Sequence, residues 1–311
     1  MMNGMNEEER RNELFCDYFD EWVREYKEGT VRYVTLKKYE STSNWLRKLV
    51  PDLTLGEIDR RTYQDLLNRY AEGHEKVTTE GFHHNVKAAI MDAIDEGIIY
   101  KNPTRKVVIK GKQKKKKPRK YLSMKEVEKL IDVLNLDYGE INWDWMILLA
   151  VKTGFRFEEI LGLTVDNFDF ERLTITVEKT LDYKYTQEFV PTKNKSSVRT
   201  IKMDWKMAMQ FQNLLKGKDP TERVFDFKEK FYNSTVNDAL KRKCREAGIQ
   251  EVTMHALRHT HASILMYKKV SMQSISKRLG HADVNITQKV YLHLIRELEA
   301  EDEKKTMAAL M

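Results

Sequence analysis

A chain of 311 residues, 41% hydrophobic and 33% charged, has enough apolar material for true cores at a length that suggests two domains, and its formal charge of +7 with a pI near 9.0 favours a polyanionic partner. Its two cysteines, Cys16 and Cys244, are too far apart in sequence for a CxxC metal pair and offer no disulfide framework. The opening MMNGMNEEERRNELF lacks the apolar core of a signal peptide, and no uncharged apolar run approaches the ~20 residues that span a bilayer, so a soluble, cytoplasmic protein with no membrane partner is expected.

In chain order, Phe15, Phe19, Trp22, Val23 and Tyr26 fall on one helical face, and Phe82, Val86, Ala89, Ile90, Ala93 and Ile94 on another. Residues 35–50 and 62–71 supply two more predicted helices, divided by Pro51, Gly56 and Gly73. A bundle of about four helices over residues 1–109 follows. Such stripes are ordinarily core. Lys37, Lys38, Arg47, Lys48, Arg60, Arg61 and Lys87 are left for exposed faces, which permits DNA contact without requiring it.

At residues 110–120, KGKQKKKKPRK, charge density rises, hydrophobic periodicity stops and Pro118 discourages helix. A run of this kind is often a solvated hinge. Placed between two folded units, Lys110, Lys112, Lys114, Lys115, Lys116, Lys117, Arg119 and Lys120 are instead expected to strap across DNA phosphates, with strong salt dependence from counterion release.

The second domain, residues 121–311, opens on Ser123-Met124-Lys125-Glu126, a capping-box spacing that predicts a helix to about Leu134. Residues 145–151 read as a buried helix running into Thr153-Gly154, and a short helical segment runs from Arg156 through Leu161. Leu173, Ile175 and Val177 alternate with threonines, the period of a half-buried strand. Further strands are expected over residues 185–190 and 198–203, with 193–197 as the turn between them, and the remainder reads as helical. The fold class is therefore mainly α with a small antiparallel sheet.

Four short motifs carry chemistry, each weak alone. Arg156 in TGFRFEEI fits an ordinary helix terminus or ion pair. His255 and His259 of HALRH share a helix face and suggest zinc, but the glutamate of HExxH is replaced by alanine and a cationic Arg258 stands beside the pair, so no metal site is expected. His281 in LGH fits a helix cap, and Tyr291 fits an amphipathic core tyrosine. Read together, they suggest a tyrosine that attacks phosphate: at a reference pKa of about 10, phenolate at neutral pH costs roughly 4 kcal/mol, which several cations around one phosphate would supply.

In order, spacing and local context, TGFRFEE, HALRH, LGH and YLH resemble the motifs of the tyrosine recombinase family, the lambda-type integrases. The likeness covers the second domain, and the helical first domain with its basic linker is similar to the family's core-binding domain. The resemblance implies that Tyr291 attacks the scissile phosphate to form a 3′-phosphotyrosyl bond and release a 5′-hydroxyl. Arg156 and Arg258 would grip the nonbridging oxygens, His255 would assist proton transfer at Tyr291, and His281 would donate a hydrogen bond to the phosphate. Glu159 would orient the cations, with a plain ion pair as the alternative. A lysine in the turn of PTKNKSSVRTI would protonate the leaving group; Lys193 is preferred for its place at the strand-to-turn junction, with Lys195 as the alternative.

No cofactor is implied, since the side chains supply the positive charge of two-metal nucleases and no GxxxxGK[ST] loop is present. The implied partners are double-stranded recombination sites, three further copies in a DNA-bound homotetramer, and accessory directionality or DNA-bending proteins. The segment after Tyr291 is expected to be helical and to dock on a neighbouring protomer, its alternative being a cap on its own domain. Integration or excision of a phage or mobile element is the first reading, Xer-like resolution or inversion the second, and a non-catalytic DNA-binding regulator the third. Many integrases carry an additional N-terminal arm-binding domain, whereas here the core-binding-like helices begin almost at once: either the chain is truncated or it belongs to a simpler recombinase subclass, which leaves arm-site binding open.

Overall fold

The computed structural model describes residues 7–113, 121–227, 231–285, 287–288 and 291. Chain contacts divide it into two compact units, residues 1–117 and 118–311.

The first unit is helical: α1 (Glu7–Arg11), α2 (Phe15–Tyr26), α3 (Tyr33–Leu49), α4 (Arg60–Gly73) and α5 (Lys76–Asp95). The two stripes become its core, with Phe15, Phe19, Trp22 and Val23 buried alongside Phe82, Val86, Ala89, Ile90 and Ala93, while Tyr26 at the end of α2 turns outward. The α4 helix begins where Asp59 accepts the backbone N–H of Thr62, a cap whose carboxylate also suits the helix dipole. The start of the basic run belongs to this unit: Val107 and Ile109 pack on its core, and the Lys112 N–H donates to the His74 carbonyl. Lys110 and Lys112 are exposed, whereas Lys114, Lys115, Lys116, Lys117, Arg119 and Lys120 lie outside the described residues.

In the second unit, α6 (Met124–Asp132) starts with the expected reciprocal cap between Ser123 and Glu126. The α7 helix (Trp143–Thr153), apolar from Trp145 to Val151, forms the centre of the core, and α8 (Phe157–Leu161) follows after Arg156. Five short strands come next: β1 (Phe168–Asp169), β2 (Thr174–Val177), β3 (Lys179–Leu181), β4 (Phe189–Pro191) and β5 (Arg199–Lys202). They make an antiparallel sheet in the order β1-β2-β5 and a separate β3-β4 ladder. The sequence pattern placed one strand over 185–190, but residues 182–187 form a turn, and β3, too short to show alternation, was not read. Leu173, expected in β2, has a positive φ of 53° and closes the turn before it.

Helices α9 (Trp205–Leu214), α10 (Asn233–Glu246), α11 (Met254–Tyr267) and α12 (Met272–Leu279) complete the unit. Helix α11 lies against α7 and α12 and is buried around most of its circumference. The tail after Tyr291, residues 292–311, lies outside the described residues.

Candidate active site

The site gathers where α7, α8, β5, α11 and α12 end or cross. Arg258 projects from the buried α11 and is only 3% exposed. Its Nη1 donates to the Gly154 carbonyl at 2.8 Å and its Nη2 to the Leu279 carbonyl at 2.6 Å, joining the C-termini of α7 and α12. Both helices end on glycines in the left-handed region, Gly154 at φ 69° and Gly280 at φ 67°. Neither position tolerates a side chain: a Cβ on Gly154 would stand 2.9 Å from His261, and one on Gly280 would stand 2.8 Å from Arg199.

Arg156 caps α8. Its N–H donates to Glu159 Oε2 at 2.9 Å, its Nη1 to Glu159 Oε1 at 2.7 Å, and its Nη2 reaches the Gly280 carbonyl at 3.5 Å. The two motif arginines thus converge on the backbone of Leu279-Gly280, immediately before His281. Glu159 is 1% exposed. Burial would raise its pKa, but the hydrogen bonds and charge of Arg199, with the charge of Arg156, hold it below the usual carboxylate range.

Arg199, which the sequence reading did not single out, is the largest addition. It sits in β5 opposite Val177, points inward like Ile201, and pairs with both Glu159 oxygens at 3.1 and 2.8 Å. It also donates to the carbonyls of Arg278 at 2.7 Å and Ser197 at 2.8 Å, and its guanidinium lies over the Phe155 ring. The signal was register: in a strand over 198–203 with Ile201 inward, Arg199 must also face inward. Three guanidiniums around one carboxylate leave the locale cationic. Burial, then the neighbouring charge of Arg156, pulls the pKa of Arg258 down to about 9, with the Glu159 carboxylate working against the fall.

Tyr291 is 2% exposed, its ring packed with Ala262, Met266, Ile275 and Leu279. Burial pushes its phenol pKa up, and the Arg258 charge works against that rise. The side chain reaching its hydroxyl is His259, with Nδ1 3.0 Å from Oη. His255, to which the resemblance gave the proton transfer, is exposed one turn earlier, its ring edge to face with His259 at 4.9 Å between centroids. Among the described residues no group of three or more His, Cys, Asp or Glu side chains is placed to hold a metal ion.

His281 follows the α12 cap and places Nδ1 2.6 Å from Oγ1 of the fully buried Thr287. Burial, with the charges of Arg258, Arg156 and Arg199, drives its pKa down to about 4, leaving a neutral imidazole at physiological pH. A Thr287 hydroxyl donating to Nδ1 leaves Nε2–H as the free donor, a second signal absent from the LGH motif. His261 and Arg278 form a supporting layer: Arg278 Nε donates to His261 Nε2 at 2.9 Å, and His261 Nδ1 lies 3.0 Å from the Val151 carbonyl. Lys193 and Lys195 are both exposed in the turn between β4 and β5, where Lys195 opens a single 3-10 turn ending at Ser197. The carbonyl of Ser197 ties this turn to Arg199.

A model of the phage integrase family matches residues 120–297, and a model of the phage integrase SAM-like domain matches residues 14–130. Sequence relatives include the XerC-like tyrosine recombinase of Caldanaerobacter subterraneus subsp. tengcongensis, 26% identical over 327 residues that cover 94% of this chain and 82% of the relative. The integrase of Staphylococcus phage L54a is 25% identical over 338 residues, covering 98% of this chain and 95% of that protein. Among solved structures, the Tn1549 transposon integrase in complex with transposon right end DNA matches at a TM-score of 0.76 and 20% identity, covering 94% of this chain and 99% of that one, a likeness of fold.

Proposed function

We propose, from the premise that this chain belongs to the phage integrase family of tyrosine recombinases, enzymes that break and rejoin DNA, that it integrates or excises a mobile element through a 3′-phosphotyrosine at Tyr291. The observation that carries this reading is the pair of guanidiniums, Arg156 and Arg258, that converge with the neutral His281 on the backbone of Leu279-Gly280, with the Tyr291 hydroxyl in the electrostatic reach of Arg258.

In this reading a scissile phosphate enters beside Arg258, where its charge favours the buried guanidinium, and Arg156 takes the other nonbridging oxygen. His281, neutral and oriented by Thr287, donates to the phosphate. Glu159 and Arg199 hold the cations in place without touching DNA. Lys193, with Lys195 of the same turn as the alternative, gives a proton to the departing 5′ oxygen. The phosphotyrosine keeps the bond energy, so the reaction calls for neither ATP nor a metal. The 5′-hydroxyl of a second strand then attacks the phosphotyrosine to rejoin.

The partner is duplex DNA, engaged by four copies that pass through a Holliday junction, with accessory directionality or DNA-bending proteins setting the outcome. Lys110 and Lys112, held exposed at the edge of the first unit, begin the basic strap. No helix among the described residues is long and apolar enough to cross a membrane, which fits action on cytoplasmic DNA. Resolution or inversion by the same chemistry is favoured by the XerC-like relative.

The test is covalent capture. Wild-type protein incubated with a library of nicked random-sequence duplexes is expected to yield a detergent-resistant protein–DNA adduct, and Tyr291→Phe none. Equal absence from both would leave a DNA-binding regulator as the better reading.

A further inference from the structure

We infer that Tyr121, the residue at which the basic run enters the second unit, is a positioning residue that couples this run to the nucleophile Tyr291, an inference that rests on the recombinase reading above. The run ends at Lys120, so its last cation stands one peptide, about 3.8 Å between Cα atoms, before Tyr121. Tyr121 is half-buried and packs against the cluster that Tyr291 shares with Ala262, Met266, Ile275 and Leu279. Leu265 and Met272 pack against the same cluster. The end of the basic run and the seat of the nucleophile are thus parts of one packed group.

The next residue is held as firmly. Leu122 is 1% exposed and belongs to the main core of the unit. Its backbone N–H donates to Thr260 Oγ1 at 2.9 Å, a buried contact between residues 138 positions apart. Thr260 is fully buried on α11, and its hydroxyl donates in turn to the Ala256 carbonyl at 2.9 Å. Its single O–H donor serves the helix while a lone pair serves Leu122. Thr260 stands two residues after Arg258, on the helix that supplies Ala262 and Met266 to the Tyr291 cluster. The reciprocal Ser123–Glu126 cap of α6 fixes the chain on the other side of Leu122.

A phosphate contact at Arg119 or Lys120 fixes the backbone within two residues of Tyr121, and the Leu122–Thr260 bond fixes it on the far side. Between two such anchors the Tyr121 ring keeps its place against the cluster. Close-packed interiors transmit placement of this kind because they hold few voids into which a side chain can yield. The Tyr291 ring is 2% exposed, and a reacting group misplaced by about 1 Å loses on the order of 10²-fold in rate. DNA held along the basic run therefore favours the Tyr121 placement that seats Tyr291, and DNA bound without that run is cleaved slowly. The size of the effect is set by the difference in DNA affinity between the two placements.

The experiment uses the full chain and a nicked duplex recovered from the random library by wild-type capture, so a wild-type failure speaks to the recombinase reading and not to Tyr121. At saturating duplex and below the melting temperature of every variant, Tyr121→Ala is expected to slow adduct formation about tenfold, with the affinity for DNA and its salt slope unchanged. Tyr121→Phe, which keeps the ring, should recover most of the rate. Replacing Lys116, Lys117, Arg119 and Lys120 by glutamine should slow the wild-type chain at saturating duplex and add nothing in the Tyr121→Ala background, the non-additivity of residues that act through one contact. Two glycines inserted between Lys120 and Tyr121 keep every cation and the ring, yet should slow adduct formation as far as Tyr121→Ala does. A Tyr121→Ala rate within twofold of wild type, a loss that more DNA removes, or a Tyr121→Phe rate as low as that of Tyr121→Ala would overturn the assignment. Additive losses with the glutamine replacements, or a wild-type rate after the insertion, would equally refute the coupling.

Discussion

Arg199→Ala should unlock the site from a buried residue whose partners are Glu159 and the backbone around it. The side chains of Arg199 and Glu159 are 5% and 2% exposed, so the carboxylate loses two charge-assisted bonds in a place water does not reach. Breaking a buried pair by removing one partner typically costs 3–5 kcal/mol, and because Arg156 still holds Glu159 at 2.7 Å, the lower end, about 3 kcal/mol, is expected. The carbonyls of Arg278 and Ser197 lose their donor in the same change. In a unit of the size of residues 118–311, 1 kcal/mol moves the melting temperature by ~2–4 °C, so a drop of roughly 6–12 °C should appear by calorimetry. Adduct formation measured well below that melt should fall on the order of 10²-fold, because Arg156 and the backbone before His281 lose a shared anchor. Arg199→Lys keeps the charge but not the planar fork and should recover stability better than rate. A melting shift below ~2 °C, under the ~2–4 °C that 1 kcal/mol would produce, together with a wild-type rate would refute the idea that Arg199 organises the site.

Gly280→Ala forces a Cβ into the left-handed region against Arg199 Nη1, and loss of at least ~1–2 kcal/mol in urea unfolding is expected; unchanged stability would mean the α12 cap relaxes freely. Burial, reinforced by Arg278, drives the pKa of His261 down to about 3, so it is neutral when folded while its unfolded pKa is near 6.5. The sign follows: its contribution is whole above pH 6.5 and shrinks as pH falls toward the folded value. The urea midpoint should therefore drop between pH 6.5 and 5, with the half-buried His281 and the burial-depressed His83 acting in the same direction. A flat midpoint across that interval would contradict it. For the leaving group, Lys193→Ala should lose cleavage and Lys195→Ala retain it, and a duplex with a 5′-sulfur leaving atom should rescue the former; the opposite pattern would transfer the role to Lys195. Neutralising Lys114, Lys115, Lys116 and Lys117 together should flatten the log–log salt dependence of DNA binding by ~0.9 for each phosphate contact removed, and an unchanged slope would make the run a solvated hinge.

The sequence alone carried the helical faces of the first unit because each helix buries one stripe, and the 3.6-residue period survives in Phe15, Phe19, Trp22 and Val23. It also carried the Ser123 cap and the β2 alternation, both local in range. The strand over 185–190 failed for the complementary reason: residues 179–191 pair only with each other across a turn, and no alternation exists in three-residue strands. The motif residues Arg156, Glu159, Arg258, His281 and Tyr291 were legible because their chemistry is rare in combination. Arg199, Thr287 and His261 were not, since a buried arginine, threonine or histidine reads in sequence as any other.

What the sequence determined by itself was therefore the class of chemistry: a tyrosine with enough arginine, histidine and lysine, in the right order, to manage a phosphate. Which histidine meets that tyrosine was decided only in three dimensions. His255 and His259 differ by four residues and share a helix face, so no pattern in the chain separates them. Tyr291 shares a buried cluster with Ala262, Met266, Ile275 and Leu279, and its hydroxyl lies 3.0 Å from His259 Nδ1, one turn along α11 from His255. Likewise, the pairing of Val177 with Arg199 turned an unremarked arginine inward to Glu159. Hydrogen bonds act over about 3 Å, and distances on that scale between residues far apart in the chain are fixed by tertiary packing.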